Sequence, residues 1–196
     1  MATRLHPRIR VVADSRREPL VQSGVMGMLI FVVAESMMFA GLISAFTIIR
    51  SGASVWPPPD QPRLPLEETA LNTAALLLSG VLLLVASRRY QRDRESARAP
   101  LLASMLLGAF FVLFQGAEWL ALIRQGLTLT SSSLGSFFYL IVGMHALHAI
   151  AALMLLVHTF LRIQRGWLAS SQLAAAQVFW YFVVGVWPIL YGVVYL

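Results

Sequence analysis

The most constraining feature of this sequence is a long apolar segment, residues 21–49, that contains a single charged residue, Glu35, near its middle. A helix of this length exceeds the roughly 20 residues needed to cross the hydrocarbon core of a bilayer, so the segment is predicted to span a membrane. A carboxyl group at that depth is costly whether it is charged or neutral, which makes Glu35 a candidate functional residue. The alternative is a purely structural acid, hydrogen-bonded inside a helix bundle.

Small residues recur every seven positions along this predicted helix, at Gly27, Ala34 and Gly41. They form a stripe on which another helix can pack closely. Glu35 lies about 100° around the helix from the stripe. It shares its face with bulky apolar residues: Phe31, Val32, Met38, Phe39 and Leu42. The first helix itself therefore offers Glu35 no polar partner, and we expect the acid to lie beside a packing interface.

The composition extends the membrane assignment to the whole chain. Of its 196 residues, 58% are hydrophobic and 12% are charged, as in an integral membrane protein. The absence of cysteine excludes disulfides, thiolate metal sites and cysteine nucleophiles. The net charge of +6 does not indicate a nucleic-acid partner, because arginines in membrane loops account for it. No cleavable signal peptide is expected, since the first apolar run is too long for one.

We predict an all-α fold, a five-helix membrane bundle at residues 21–196 preceded by an arginine-rich tail at residues 1–20. The helices are predicted at about residues 21–49, 66–87, 100–123, 134–161 and 173–196, because each is an apolar run bounded by polar or proline-rich segments. Twelve of the fifteen arginines lie in the tail and in the second and fourth loops. The positive-inside rule then predicts a cytoplasmic N-terminus and an outside C-terminus.

Four further polar residues inside the predicted helices are candidates for bundle or lipid contacts: Gln115 and Glu118 on the third helix, His145 and His148 on the fourth. Residues three apart share a helix face, and polar strips of membrane helices face the bundle interior. A bis-histidine haem between helices needs a histidine on a facing helix, and every intramembrane histidine is on the fourth. We therefore expect hydrogen bonds between histidine and glutamate across helices, and no metal or cofactor bound by this chain.

No segment reads as a nucleophile elbow, a phosphate-binding loop or a zinc motif. No catalytic residue is therefore assigned. Two buried acids and two buried histidines in a chain without a soluble domain favour a subunit of a larger membrane complex over an enzyme that acts alone.

Six motifs carry a family resemblance: Ala34-Glu-Ser-Met-Met-Phe-Ala-Gly41, Trp56-Pro-Pro-Pro, Leu64-Pro-Leu with Leu71-Asn-Thr-Ala, Gln115-Gly-Ala-Glu-Trp119, Gly143-Met-His-Ala-Leu-His148, and Phe179-Trp-Tyr-Phe with Val186-Trp187. In this order they resemble subunit III of the haem–copper oxidases, over nearly the whole chain after residue 20. The chain looks like the short, five-helix form of the family. The second and third motifs are most similar to the cytochrome c oxidase branch.

The resemblance implies a non-catalytic subunit of a respiratory terminal oxidase in a bacterial cytoplasmic membrane, acting in aerobic electron transport and proton translocation. Haem and copper would belong to partner subunits I and II. This chain would pack on subunit I, bind phospholipid, and support proton uptake and stability during turnover. Glu35 corresponds to the buried acid that carbodiimides modify in relatives, while Glu118 and His148 correspond to recurrent polar positions.

Two positions depart from the family's last helix, which usually reads Trp-His-Phe-Val-Asp-Val-Val-Trp. Tyr181 takes the place of the histidine and Val184 that of the aspartate, so any hydrogen bond that those groups make in relatives is changed or lost.

Alternatives stay open at this point: subunit III of a quinol oxidase, an accessory protein of a nitric oxide reductase, or an independent proton-coupled carrier using Glu35 and Glu118. The electron donor is not given by the sequence.

Overall fold

The computed structural model describes residues 23–58, 62, 64–165 and 170–196. The described residues are all-helical, and five of their helices are long and apolar enough to cross a membrane, which confirms the predicted helical bundle. The predicted tail at residues 1–20 lies outside the described residues. The helices are α1 (Ser23–Gly52), α2 (Leu66–Tyr90), α3 (Arg98–Arg124), α4 (Ser133–Gln164) and α5 (Ser170–Leu190), followed by a π-helix (Tyr191–Tyr195).

The helix ends follow from local sequence. The first turn of α2 carries Glu67 and Glu68 and its last turn carries Arg88 and Arg89, the charge order that the helix dipole favours. The hydroxyl of Ser132 accepts a hydrogen bond of 3.0 Å from the backbone N–H of Gly135 and so caps α4.

The last predicted helix differs from the observed one at its end. It is α-helical only as far as Leu190, and residues Tyr191–Tyr195 form the wider π-helix. Pro188 lies inside α5 and has no N–H to donate to the preceding turn. The change of helix type thus comes directly after an interruption of the regular hydrogen-bond ladder. It brings Tyr195 into the buried interior.

Helix α5 is central to the bundle: it packs against α1, α2 and α4, while α3 lies between α2 and α4. Two tryptophans of α5, Trp180 and Trp187, are fully buried. The indole N–H of Trp180 donates to the hydroxyl of Ser79 at 3.2 Å, and that of Trp187 donates to the hydroxyl of Thr73 at 2.8 Å. Since Ser79 and Thr73 are both on α2, these bonds join the two helices at two levels.

A close approach fixes α3 against the same helix. The Trp180 ring occupies the space beside Gly108, where an added Cβ would lie 2.6 Å from Cζ2 of the ring. The hydroxyl of Ser104, one turn earlier on α3, donates to the backbone carbonyl of Ser79 at 2.7 Å. Helices α2, α3 and α5 therefore meet at one level through a tryptophan, a glycine and two serines. We call this unit, α2 with α3 and α5, the three-helix core.

Helix α1 is attached differently. Phe39 and Phe46 are its two buried residues. A Cβ added at Gly27 or Gly41 would meet no described residue within 4 Å, and Ala34 is exposed. The small-residue stripe therefore faces away from the other described helices and is not the surface on which they pack. The face that carries Glu35 packs inward instead, because the phenyl rings there fill the space against α4 and α5.

Candidate functional site

The acid of α1 meets a histidine of α4. Nε2 of His148 lies 3.1 Å from Oε2 of Glu35, and the two side chains are 9% and 20% exposed. Glu35 thus has a polar partner. Its neighbours on its own helix could not supply one, and it comes instead from a helix more than a hundred residues further along the chain.

The other ring nitrogen of His148 is also engaged. Nδ1 lies 2.7 Å from the backbone carbonyl of Met144, and since a carbonyl oxygen only accepts, Nδ1 carries a hydrogen and donates it. Nε2 lies at ion-pair distance from Glu35, but Oε2 of Glu35 has no hydrogen-bond partner among the described residues. The imidazole therefore spans from its own helix backbone to the carboxyl group of α1.

Phenyl rings surround this pair. The centroid of the His148 ring lies 5.6 Å to 6.2 Å from four of them, which belong to Phe31, Phe39, Phe179 and Phe182. They come from α1 and α5, the helices on either side. The imidazole that faces Glu35 therefore lies in a largely aromatic environment.

His145 lies one turn from His148 but in a separate environment. Its ring lies 4.9 Å from that of Trp187, at an angle of 33°, and meets the edges of Phe39 and Phe111. Nε2 of His145 is buried and has no hydrogen-bond partner among the described residues. Among those residues, no ion pair joins it to either buried acid. The structure therefore brings Glu35 to His148 and leaves His145 packed among rings.

The second buried acid, Glu118, belongs to a different cluster, where α2, α3 and the π-helix meet. Its Oε2 accepts hydrogen bonds from the hydroxyl of Thr69 at 3.2 Å and from Nε2 of Gln115 at 3.0 Å. The same Nε2 contacts the hydroxyl of Tyr195 at 3.0 Å. Asn72 extends the cluster, with its Nδ2 at 3.4 Å from Oε1 of Gln115. The other carboxyl oxygen of Glu118 is buried and has no hydrogen-bond partner among the described residues.

Three members of this cluster were missed in the sequence: Thr69, Asn72 and Tyr195. A usable signal exists for the first two, since Thr69, Asn72 and Thr73 are spaced as neighbours on one face of α2, and all three are buried. Tyr195 gave no such signal, because its inward position depends on the π-helix.

The two departures from the family pattern lie at a helix interface. Val184 is buried and packs on α2 at Gly80, where a Cβ would lie 3.1 Å from its Cγ1. The hydroxyl of Tyr181 is buried with no hydrogen-bond partner among the described residues. Val184 therefore packs against a glycine of α2. Among the described residues, neither Tyr181 nor Val184 makes a polar contact with Glu35.

No three metal-ligating side chains converge within the described part of the chain. A groove of about 560 Å³ runs between α1 and α5 and carries both apolar and hydroxyl side chains: Ser36, Phe39, Ala40, Ile43, Ser44, Thr47, Val186 and Ile189. The hydroxyls of Ser36 and Thr47 donate to carbonyls of their own helix, at 2.7 Å and 2.8 Å. Their hydrogens are thus already used, and the groove presents a largely apolar surface.

Five membrane-length helices with buried acids define the class: a multi-pass helical membrane protein. The chain belongs to the cytochrome c oxidase subunit III family, whose sequence profile matches residues 12–196.

Three relatives illustrate the match. The probable cytochrome c oxidase subunit 3 of Nocardia farcinica is 32% identical over 173 residues, covering 86% of this chain and 85% of the relative. That of Mycobacterium leprae is 33% identical over 174 residues, with the same coverage. The cytochrome c oxidase subunit 3 of Rattus norvegicus is 32% identical over 188 residues, covering 90% of this chain and 71% of the relative.

Proposed function

We propose that this chain is the non-catalytic subunit III of a respiratory haem–copper oxidase of the cytochrome c type. The observation that carries the proposal is the family match over residues 12–196, together with relatives that bear this name. The haems and copper would be held by subunits I and II. This chain would contribute helix packing, lipid contacts and support for proton uptake.

The proposed location is the cytoplasmic membrane of a bacterium, with the N-terminus in the cytoplasm. Supporting this, Arg88 and Arg89 at the end of α2, Arg98 at the start of α3 and Arg162 at the end of α4 are placed at one end of the bundle by its alternating helix directions. The opposite end carries Arg50 and Arg124. Arginine is enriched in cytoplasmic loops of membrane proteins.

We place the contacts with subunit I and with lipid on the α1 side of the bundle. That helix has a small-residue face at which the described residues leave the glycines without neighbours, and the groove beside α5 is wide and apolar enough for an acyl chain. The main partner in this proposal is subunit I, with subunit II in the same complex.

Glu35 has a supporting part in this proposal. A proton relay needs a continuous series of polar groups or waters, whereas the neighbours of Glu35 on its own helix are apolar and the ring of His148 lies among four phenyl rings. We infer that Glu35 holds α1 in the position that subunit I or lipid recognises, and that its effect on proton uptake passes through that contact.

The first test is purification in a mild detergent through a tag on this chain, followed by identification of what accompanies it. We expect a haem-bearing subunit I and a copper-binding subunit II. A subunit II that lacks copper ligands would assign the complex to quinol oxidation. Recovery of the chain alone, without any haem protein, would contradict the proposal.

A second test addresses Glu35 in the intact complex. A hydrophobic carbodiimide is expected to label Glu35 in preference to Glu67 and Glu68, which lie at the first turn of α2, since the reagent partitions into the membrane. Glu35→Gln should leave assembly and initial turnover nearly normal, because shape and hydrogen bonding are kept. Glu35→Ala should shorten the time over which activity persists. Complete loss of proton pumping in an assembled Glu35→Gln complex would show that Glu35 itself carries protons.

A further inference from the structure

A cavity of about 170 Å³ lies between α3 and α4, with walls that include Gln115 and Trp119 of α3 and His145 and Ala146 of α4. The two helices pack against each other, yet among the described residues no side-chain hydrogen bond joins α3 directly to α4. Helix α2, by contrast, is joined to α3 and to α5 by such bonds. The cavity therefore lies at an interface between helices that has no polar link of its own.

Two side chains that line the cavity have a ring nitrogen without a hydrogen-bond partner among the described residues. One is the indole Nε1 of Trp119, which is buried. The other is Nε2 of His145, a residue that is 1% exposed. An indole N–H can only donate, whereas a neutral imidazole has one nitrogen that donates and one that accepts. A polar group buried without a partner is costly, so a small polar molecule in the cavity would stabilise both side chains.

Water fits both the volume and the chemistry of this cavity. One molecule takes up roughly 30 Å³ in the liquid, so the cavity has room for about five at most. The oxygen of a water can accept from Trp119, and the same molecule can donate to or accept from His145. The side-chain oxygen of Gln115, which accepts from Asn72 at 3.4 Å, has a second lone pair for a further bond. An acyl chain would fill the same volume but leave the two ring nitrogens unpaired.

We propose that this cavity is an internal water site, and that the bound water links Trp119 of α3 to His145 of α4. The proposal goes beyond the oxidase assignment and does not depend on it. The site adjoins the cluster of the second buried acid, because Gln115, which lines the cavity, also donates to Oε2 of Glu118 at 3.0 Å. Bound water therefore extends that polar cluster from α2 and α3 to α4, and it supplies the polar link between α3 and α4.

The water can be detected on the full chain in lipid bilayers by solid-state NMR, as magnetisation transfer from water protons to the indole N–H groups of ¹⁵N-labelled tryptophan. Trp119→Phe and Trp180→Phe each remove one signal, which assigns the two. Trp180 is the internal control, since its buried N–H donates to the hydroxyl of Ser79 at 3.2 Å. We expect transfer to Trp119 to build up several-fold faster than transfer to Trp180. Equal build-up at the two indoles would overturn the proposal.

A cavity-filling variant separates water in the cavity from water at the membrane surface. Ala146 lines the cavity, so Ala146→Leu should displace the water and reduce the transfer at Trp119 to the level of Trp180. Ala121→Leu makes the same change at an exposed position of α3 and should leave the transfer as it is in the unmodified chain. Unchanged transfer in Ala146→Leu would show that the water at Trp119 is not in the cavity.

The link to His145 is tested without adding volume. His145→Phe keeps a flat ring and removes both nitrogens, so the water loses a partner and transfer to Trp119 should fall several-fold. Circular dichroism checks that each variant keeps its helices. Transfer in a folded His145→Phe chain equal to that in the unmodified chain would refute the link. Contacts of the Trp119 N–H with lipid methylene protons in place of water, in the unmodified chain, would show that an acyl chain occupies the cavity and would also refute the proposal.

Discussion

Helix α1 and the three-helix core are built by different means. In the apolar segment of α1, 11% of residues are buried inside the chain, against 44% in α2, 28% in α3 and 44% in the span formed by α5 and the π-helix. The core has tryptophan N–H groups paired with hydroxyls and a glycine against an indole ring. Helix α1 has phenyl rings, one acid–imidazole contact and an arginine at its end.

The difference shows where each part obtains its stability. Lipid is as apolar as leucine, so helices in a membrane associate through close packing and hydrogen bonds, not through the hydrophobic effect. The core has both and should be stable by itself. Helix α1 has few of either and keeps one face free, which suits a helix that completes its packing against another subunit or against lipid.

The largest effect is expected from Gly108→Ala in the core. The added Cβ would lie 2.6 Å from Cζ2 of Trp180, and a fully buried indole has little room to move. We expect a loss of roughly 2 kcal/mol in the free energy of unfolding, measured by detergent-induced unfolding followed by circular dichroism. Gly116→Ala on the same helix, where no described residue lies within 4 Å of the added Cβ, is the matched control and should leave the free energy of unfolding unchanged. Equal effects from the two variants would show that the close approach does not stabilise the core.

A smaller effect is expected for the hydrogen bond between Trp187 and Thr73, which is 2.8 Å long. A double-mutant cycle with Trp187→Phe and Thr73→Val should give a coupling free energy of about 1 kcal/mol, near the upper part of the range for such bonds in membranes. Thr73→Ser keeps the hydroxyl and should keep most of the coupling. A coupling free energy of zero would show that this hydrogen bond does not stabilise the core.

The third largest effect is expected from a substitution at the end of α1. Arg50 donates to the carbonyls of Val193 at 3.1 Å and Leu196 at 3.2 Å, and Arg50→Gln should weaken the attachment of the last turn of α1 by about 0.5 to 1 kcal/mol. Hydrogen exchange of amides 46–52 should then be several-fold faster, while exchange in α2 is unchanged. Arg124→Gln, on α3 at the same end, is the comparison, since no side-chain hydrogen bond of Arg124 is found among the described residues. Uniformly faster exchange in all helices would mean that α1 and the core are one cooperative unit.

The smallest effect is expected from Gly41→Ala on the free face of α1. No described residue lies within 4 Å of the added Cβ, so the free energy of unfolding of the chain alone should change by less than about 0.5 kcal/mol. The same variant should lower the amount of chain recovered with subunit I if that face is the contact. Loss of stability in the chain alone would instead show that α1 packs through this stripe.

The sequence predicted five membrane-length helices, because each is a long apolar run between polar or proline-rich segments. A helical bundle was expected because such helices pack against one another. The sequence could not predict which face of α1 packs inward. The stripe of Gly27, Ala34 and Gly41 permits close packing, but whether this chain or a partner uses it depends on the shapes of the other helices.

The partner of Glu35 could not be predicted from the sequence for a related reason. Helical spacing identifies neighbours on one helix, and for Glu35 these are apolar. It does not identify residues of another helix, so His148 could be recognised as a polar residue of the bundle but not matched to one particular acid. Glu118 shows the same limit in part: its partner Gln115 is on the same helix and was recognised, whereas Thr69, on α2, was not.

The contact of Gly108 with Trp180 also restricts how the bundle can move. A shift of α3 along its axis by one turn, about 5.4 Å, would bring Ser104 or Val112 to the indole ring, and both have the Cβ for which there is no space. Ser79 holds the same tryptophan from α2. A one-turn shift of α3 along α5 would therefore displace the indole ring and strain the core. A tilt about the level of Trp180 keeps both contacts, and it would move the helix ends at the two membrane surfaces more than the residues at that level.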